Sequence, residues 1–227
     1  MTYRKYCRQS VSVLAGFLLA ASLLTAGCGS DRTPVSDTSL PESGISLPAE
    51  ESQADSEPES GAEAAVITLT KTIDSADGSM RLQFPDNWSD MSGFMSTDGS
   101  VEAAYPLRAG CPEEAAFLLA CCESREGSIL SDVRDYTETL VQGMTASSLF
   151  SDVQMGQLTP ISLGRDGLSG YIAQFTADSQ AGRVAYTLYT AETETAFYQI
   201  CCWTSNAGAG SEEAVFDTIA GSFEVLS

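Results

Sequence analysis

Seven cysteines and thirty-one acidic residues carry most of the reactive side chains of this chain, and there is no histidine. Lack of an imidazole removes Ser-His-Asp and Cys-His machinery together with the commonest metal ligand. Five cysteines lie well inside the sequence: Cys111, Cys121, Cys122, Cys201 and Cys202. None has CxxC spacing, so a zinc site is not expected. On strands, Cys121-Cys122 and Cys201-Cys202 would each put one thiol on either face of a sheet. They read as small hydrophobes filling tight spots under helices. The alternative is a disulfide between the two strands, which an oxidising compartment would favour.

Paired carboxylates could support glycoside hydrolysis. Glu192 and Glu194 would share a face if a strand continues through them. Asp132 and Asp135, like Glu212 and Glu213, fall in first helical turns, where the dipole favours acids. Asp74-Ser75-Ala76-Asp77-Gly78 lacks the ligand alternation and the bidentate glutamate of a calcium loop, and reads as a hairpin turn. Gly167-Leu168-Ser169-Gly170 has the wrong spacing for a nucleophile elbow. Gly208-Ala209-Gly210 precedes a helix but has only a turn's significance. No catalytic residue, metal or cofactor is expected.

Cys28 is a different case. Arg4, Lys5 and Arg8 form a basic start, an uncharged apolar run extends from Val11 to Leu24, and Ala26 and Gly27 precede Cys28. This order is that of an export signal, and the run is too short to span a bilayer, which takes roughly 20 residues. Small residues suit the narrow groove of a peptidase, and a thiol is nucleophilic enough to accept a diacylglyceryl group. Leu24-Thr25-Ala26-Gly27-Cys28 resembles the lipobox of bacterial lipoproteins, with Thr25 where leucine is more usual. The resemblance implies cleavage between Gly27 and Cys28, lipidation of Cys28, and attachment to the outer face of a bacterial membrane. Two or three acyl chains would hold the chain there stably.

Loss of the leader, residues 1–27, takes the formal charge from −20 to −23. Such a surface repels nucleic acid, and basic partners or divalent cations are what it would attract weakly. Residues 28–64 hold the lipidated cysteine and then a stretch without aromatic residues, rich in Ser, Pro, Glu and Asp. Too little apolar surface is available there to offset ordering entropy, so an acidic disordered tether is expected. Its span as a flexible coil is roughly 30–35 Å.

Residues 65–227 suit one folded domain. Strands are expected at 66–70, 80–84 and 101–107, with a continuously apolar one over 115–122 that needs cover on both faces. Ser131 or Asp132 can cap a helix reaching about Thr145, with Val133, Tyr136, Leu140, Val141 and Met144 on its apolar stripe. Four more strand-like runs follow at 153–163, 168–177, 183–190 and 196–204, and then a closing helix with Val215, Phe216 and Ile219 inward. The fold class is α+β: an antiparallel sheet sandwiched between helices.

Met80-Arg81-Leu82-Gln83-Phe84-Pro85 followed by Trp88 resembles the opening strand of the PsbP-like superfamily. Tyr198-Gln199-Ile200, a polar loop, Val215-Phe216-x-x-Ile219 and Ser222-Phe223 resemble its closing strand and helix. The match covers roughly residues 66 to 226. The superfamily includes photosystem extrinsic subunits and DcrB-type bacterial lipoproteins. It implies a binding or assembly module without a chemistry of its own, and no functional residue carries over. The expectation is thus a membrane-anchored module that binds a protein or envelope component. A carboxylate-based envelope hydrolase would instead need two acids converging in one concave pocket. A small-ligand carrier would need an enclosed apolar cavity.

Overall fold

The computed structural model describes residues 66–91, 104–180, 182–205 and 211–226. Gly27, Cys28, the tether and Gly208 to Gly210 lie outside the described residues.

Elements follow in the order β1 (Lys71–Asp74), β2 (Met80–Phe84), β3 (Ser89–Asp90), β4 (Leu107–Cys111), β5 (Ala116–Ser124), α1 (Val133–Thr145), β6 (Ser151–Met155), β7 (Thr159–Leu163), β8 (Leu168–Ser179), β9 (Gly182–Glu192), β10 (Ala196–Thr204), α2 (Ser211–Gly221) and β11 (Glu224–Val225). The large antiparallel sheet runs β3-β4-β5-β10-β9-β8-β6, with β7 also on β8; a small sheet is ordered β1-β2-β11. The two continuously apolar strands, β5 and β10, are central neighbours. Between them they bury Leu118, Ala120, Tyr198 and Ile200 on one face and Leu119, Phe197, Cys201 and Trp203 on the other.

Helix α1 covers that second face with Val133, Tyr136, Leu140 and Met144, while Val141 is only partly buried. Asp132 is its N-cap, accepting from the backbone N–H groups of Arg134 (2.9 Å) and Asp135 (3.0 Å). The first face is covered by α2 and, beyond the helical cover expected, by the small sheet. β2 turns Met80, Leu82 and Phe84 inward, a period-two pattern that must bury one face, and they pack with Phe216, Ile219 and Phe223. Ser222 Oγ fastens the end of α2 to β2 by accepting from Gln83 N at 2.8 Å.

Three boundaries differ from the sequence reading. The first strand starts at Lys71, not Val66, because its ladder to β2 ends at Lys71↔Phe84, just before Pro85. Proline has no N–H to extend a ladder. Of the strand expected at 101–107, residues 101–103 lie outside the described residues; the described strand is Leu107–Cys111, turned into β5 by Pro112–Glu114 with Ala115 left-handed at φ 51°. The run 153–163 divides at Gly156 into β6 and β7, which share β8 as partner.

Candidate functional site

The register of β5 and β10 decides the cysteine question. Cys121 stands opposite Gln199 and Cys201 opposite Leu119, so these same-face thiols are two residues out of step. Diagonal neighbours lie about 7–8 Å apart, their Cβ atoms somewhat closer, whereas a disulfide needs Cβ atoms about 3.8 Å apart. Cys111, Cys121, Cys201 and Cys202 are free and buried. On the other face Cys122 stands opposite Tyr198 and Cys202 opposite Leu118, four residues out of step, so the register brings no cross-strand pair of thiols together on that face either. Burial pushes the Cys121, Cys201 and Cys202 thiols well up, which keeps them protonated and unreactive. Gln199 Nε2 donates to Cys121 Sγ at 2.9 Å.

The acids singled out in the sequence do not converge. Glu192 accepts from Arg125 Nη1 (2.8 Å) and from Val133 N (3.1 Å), so it joins the start of α1 to β9, while Glu194 is exposed in the next turn. Asp77 Oδ1 accepts from Ser79 N and Oγ, and Asp74 pairs with Arg81 at 2.6 Å. That segment is a hairpin turn with Gly78 at φ 70°. Among the described residues no three His, Cys, Asp or Glu side chains gather as a metal site.

One buried acid was not foreseen. Glu123, near the end of β5, is 8 % exposed and accepts from Tyr136 Oη at 2.8 Å, and the Tyr136 ring stacks on Phe197 with centroids 4.6 Å apart. Its position in an otherwise apolar run was the only signal. Desolvation raises its pKa, partly opposed by the Tyr136 hydrogen bond. A carboxyl raised in the folded state favours folding below its unfolded pKa, and that contribution is lost as pH rises through the folded value. Glu123→Gln keeps an acceptor for Tyr136 without the charge. We therefore expect Glu123→Gln to melt about 2–4 °C above wild type at pH 7, with the gap closing towards pH 4. Melting curves at the two pH values check this, and a gap that widens on acidification would refute it.

Among the described residues an open groove of about 300 Å³ lies where the first turn of α2 overhangs the sheet. Its floor follows from the registers of β8, β9 and β10. One cross-strand row is Thr176–Ala185–Thr204, and the next is Gln174–Thr187–Cys202. One row further, Tyr189 Oη donates to Asp217 Oδ1 at 2.7 Å, and α2 closes on the sheet. Gln154 and Gly156 supply one side, and Glu212, Glu213 and Phe216 of α2 the other. Gln174 Nε2 donates to Glu213 Oε1 at 2.6 Å, holding that turn over β8. Arg183 reaches Thr176 Oγ1 at 2.8 Å, with its charge matched by Asp152 (2.8 Å) and Asp178 (3.1 Å).

Glu212 and Glu213 are the acids that line this groove. Both stem from one turn of one helix, and no described carboxylate faces them from across, as flanking a glycosidic bond requires. The groove is also open, unlike the enclosed cavity of a carrier.

No family model matches the chain, and no curated protein matches its sequence. Solved structures do match. A Mog1 mutant covers 69% of this chain and 96% of its own at 9% identity, with a TM-score of 0.50. The solution structure of cyanobacterial PsbP (CyanoP) from Synechocystis sp. PCC 6803 covers 74% of this chain and 99% of its own, at 13% identity and a TM-score of 0.49. LpqN, involved in cell envelope biogenesis of Mycobacterium tuberculosis, covers 69% of this chain and 90% of its own, at 11% identity and 0.46. The fold is α+β and similar to that of Mog1, and the likeness is one of fold alone.

Proposed function

We propose that this chain is a membrane-anchored extracytoplasmic lipoprotein whose folded domain is a non-catalytic binding module for a protein or envelope component. The anchor reading rests on Leu24-Thr25-Ala26-Gly27-Cys28 and its basic, apolar leader. The binding reading is carried by the groove beside α2, a concavity with hydrogen-bonding groups set on a rigid sheet. The acidic tether would hold this site off the headgroups.

Metabolic labelling with a fatty-acid analogue, together with fractionation, tests the anchor. Wild type is expected in the membrane fraction carrying label. Cys28→Ala is expected to lose all label and to be found soluble or unprocessed. Equal label in both would end the lipoprotein reading. Capture of the full chain from its native membrane, with identification of what accompanies it, tests the binding module.

A further inference from the structure

Two polar groups in the groove are left without protein partners. Glu212 is 8 % exposed and Thr187 is 6 % exposed, and both line the groove. Among the described residues neither side chain has a hydrogen bond or an ion pair. Their neighbours are engaged: Glu213 by Gln174, Thr176 by Arg183, and Arg183 itself by Asp152 and Asp178. Among the described residues none therefore brings a cation to Glu212 there.

A carboxylate without a protein partner, set in a mostly apolar groove and reached by solvent only through its mouth, is stabilised by a cation that also donates hydrogen bonds. The rest of the lining is mainly carbon, including Phe216 and Ala185. A carbon-walled slot with a carboxylate suits a long aliphatic stem bearing a cationic head, since lysine and arginine lay their stems on apolar surface. A divalent metal suits it less, because two carboxylates from one turn fall short of a coordination set and no third ligand gathers. A formal charge of −20 would draw a basic segment towards this surface.

We propose that the groove takes a lysine or arginine side chain presented by a partner polypeptide. The Glu212 carboxylate accepts from the ammonium or guanidinium group, Thr187 Oγ1 accepts a further N–H, and the stem lies along Phe216. This names the partner chemistry for the binding-module reading and rests on it.

The test uses the full chain and the peptide acetyl-Gly-Ser-Arg-Ser-Gly-amide, its lysine counterpart, and its citrulline counterpart, which keeps the shape but not the charge. Titration calorimetry is expected to show the arginine or lysine peptide binding roughly tenfold or more tightly than citrulline, as a charge-assisted hydrogen bond implies. Glu212→Gln should weaken binding roughly tenfold, and the isosteric Thr187→Val about threefold, with melting temperatures close to wild type. Should Glu212→Gln unfold, Thr187→Val carries the test. Equal affinity for citrulline, no change in the variants, or no binding of any peptide at millimolar concentration overturns the proposal. So does displacement of the peptide by calcium alone. Tighter peptide binding after Arg32→Gln would mean that the chain's own tether fills the groove, which also overturns it. A partner captured equally by wild type and Glu212→Gln removes the groove assignment but leaves the binding module. Capture of no partner by either form removes the module reading itself.

Discussion

Gly170→Ala is expected to be among the most damaging single-methyl additions in this domain. Gly170 lies in β8, between Ile161 of β7 and Ala191 of β9. A Cβ built there falls 1.9 Å from the carbonyl oxygen of Thr190 and 3.0 Å from its carbon. Those atoms belong to backbone, so no rotamer change relieves the overlap; β8 and β9 must part at Gly170↔Ala191, the end pair of their ladder. Overpacking usually costs about 1–3 kcal/mol, and this case belongs at the upper end or beyond it. For a domain of this size about 3 kcal/mol corresponds to a fall in Tm of about 6–12 °C. Gly167→Ala is the comparison. Its φ is +61° with nothing within 4 Å, so it meets only left-handed strain of about 1–2 kcal/mol. Thermal unfolding of both variants decides the matter. A Tm for Gly170→Ala equal to or above that of Gly167→Ala would show that the strands do not approach so closely.

Gly170 also shows what kind of information the sequence withholds. Within Leu168–Ala177 it reads as an ordinary strand glycine, since only the paired strand reveals the close approach. Patterns that depend on one element were legible. Continuous apolar runs at Phe117 to Cys122 and Phe197 to Trp203 marked the two central strands, because a strand buried on both faces has no polar side to show. The stripe on α1 and the cap at Asp132 were legible for the same reason. Residues 66–70 misled because a β-branched run has strand propensity wherever it stands, while strand length is set by a partner that stops at Pro85. The small sheet was half legible: β2 announced an inward face, but Glu224–Val225 is too short to show a period.

The candidate site was less legible than the fold. Glu212 and Glu213 read as dipole-complementing acids at a helix start, and that reading is compatible with where they stand. What the sequence could not show is that the turn overhangs a floor assembled from Thr176, Ala185, Thr204, Gln174 and Thr187. Those residues come from three strands, and register alone brings them together. Thr187 has no motif around it. Its interest comes from being buried with no partner, a property of packing and not of spacing. The cysteines are a similar case: adjacency on each strand was plain, but the two-residue offset between Cys121 and Cys201 decided their chemistry.

Trp88→Ala is the second substitution expected to have a large effect, and it tests how the small sheet and α2 are joined over the large one. Trp88 is fully buried in the turn after β2, stacked on Phe84 with centroids 5.6 Å apart and edge-on to Phe216 at 6.2 Å. Lys71 Nζ donates to the carbonyls of Asp86 and Trp88, the latter at 2.9 Å, which holds the turn closed over the ring. Removing the indole leaves a cavity between β2 and α2, and the loss for a buried tryptophan is about 3–5 kcal/mol. Trp88→Phe keeps a ring between Phe84 and Phe216 and should cost less, about 1–2 kcal/mol. It also removes Nε1, a buried donor with no hydrogen-bond partner among the described residues, so no group is orphaned by the change. Urea unfolding followed by far-UV circular dichroism measures both. The expected result is a lower midpoint for each variant with an unchanged slope, Trp88→Ala well below Trp88→Phe. Loss of less than about 1 kcal/mol in Trp88→Ala would mean that the plug is not what couples α2 to β2, and that the packing of Met80, Leu82 and Phe84 on Phe216 and Ile219, with the Ser222–Gln83 fastening, does so.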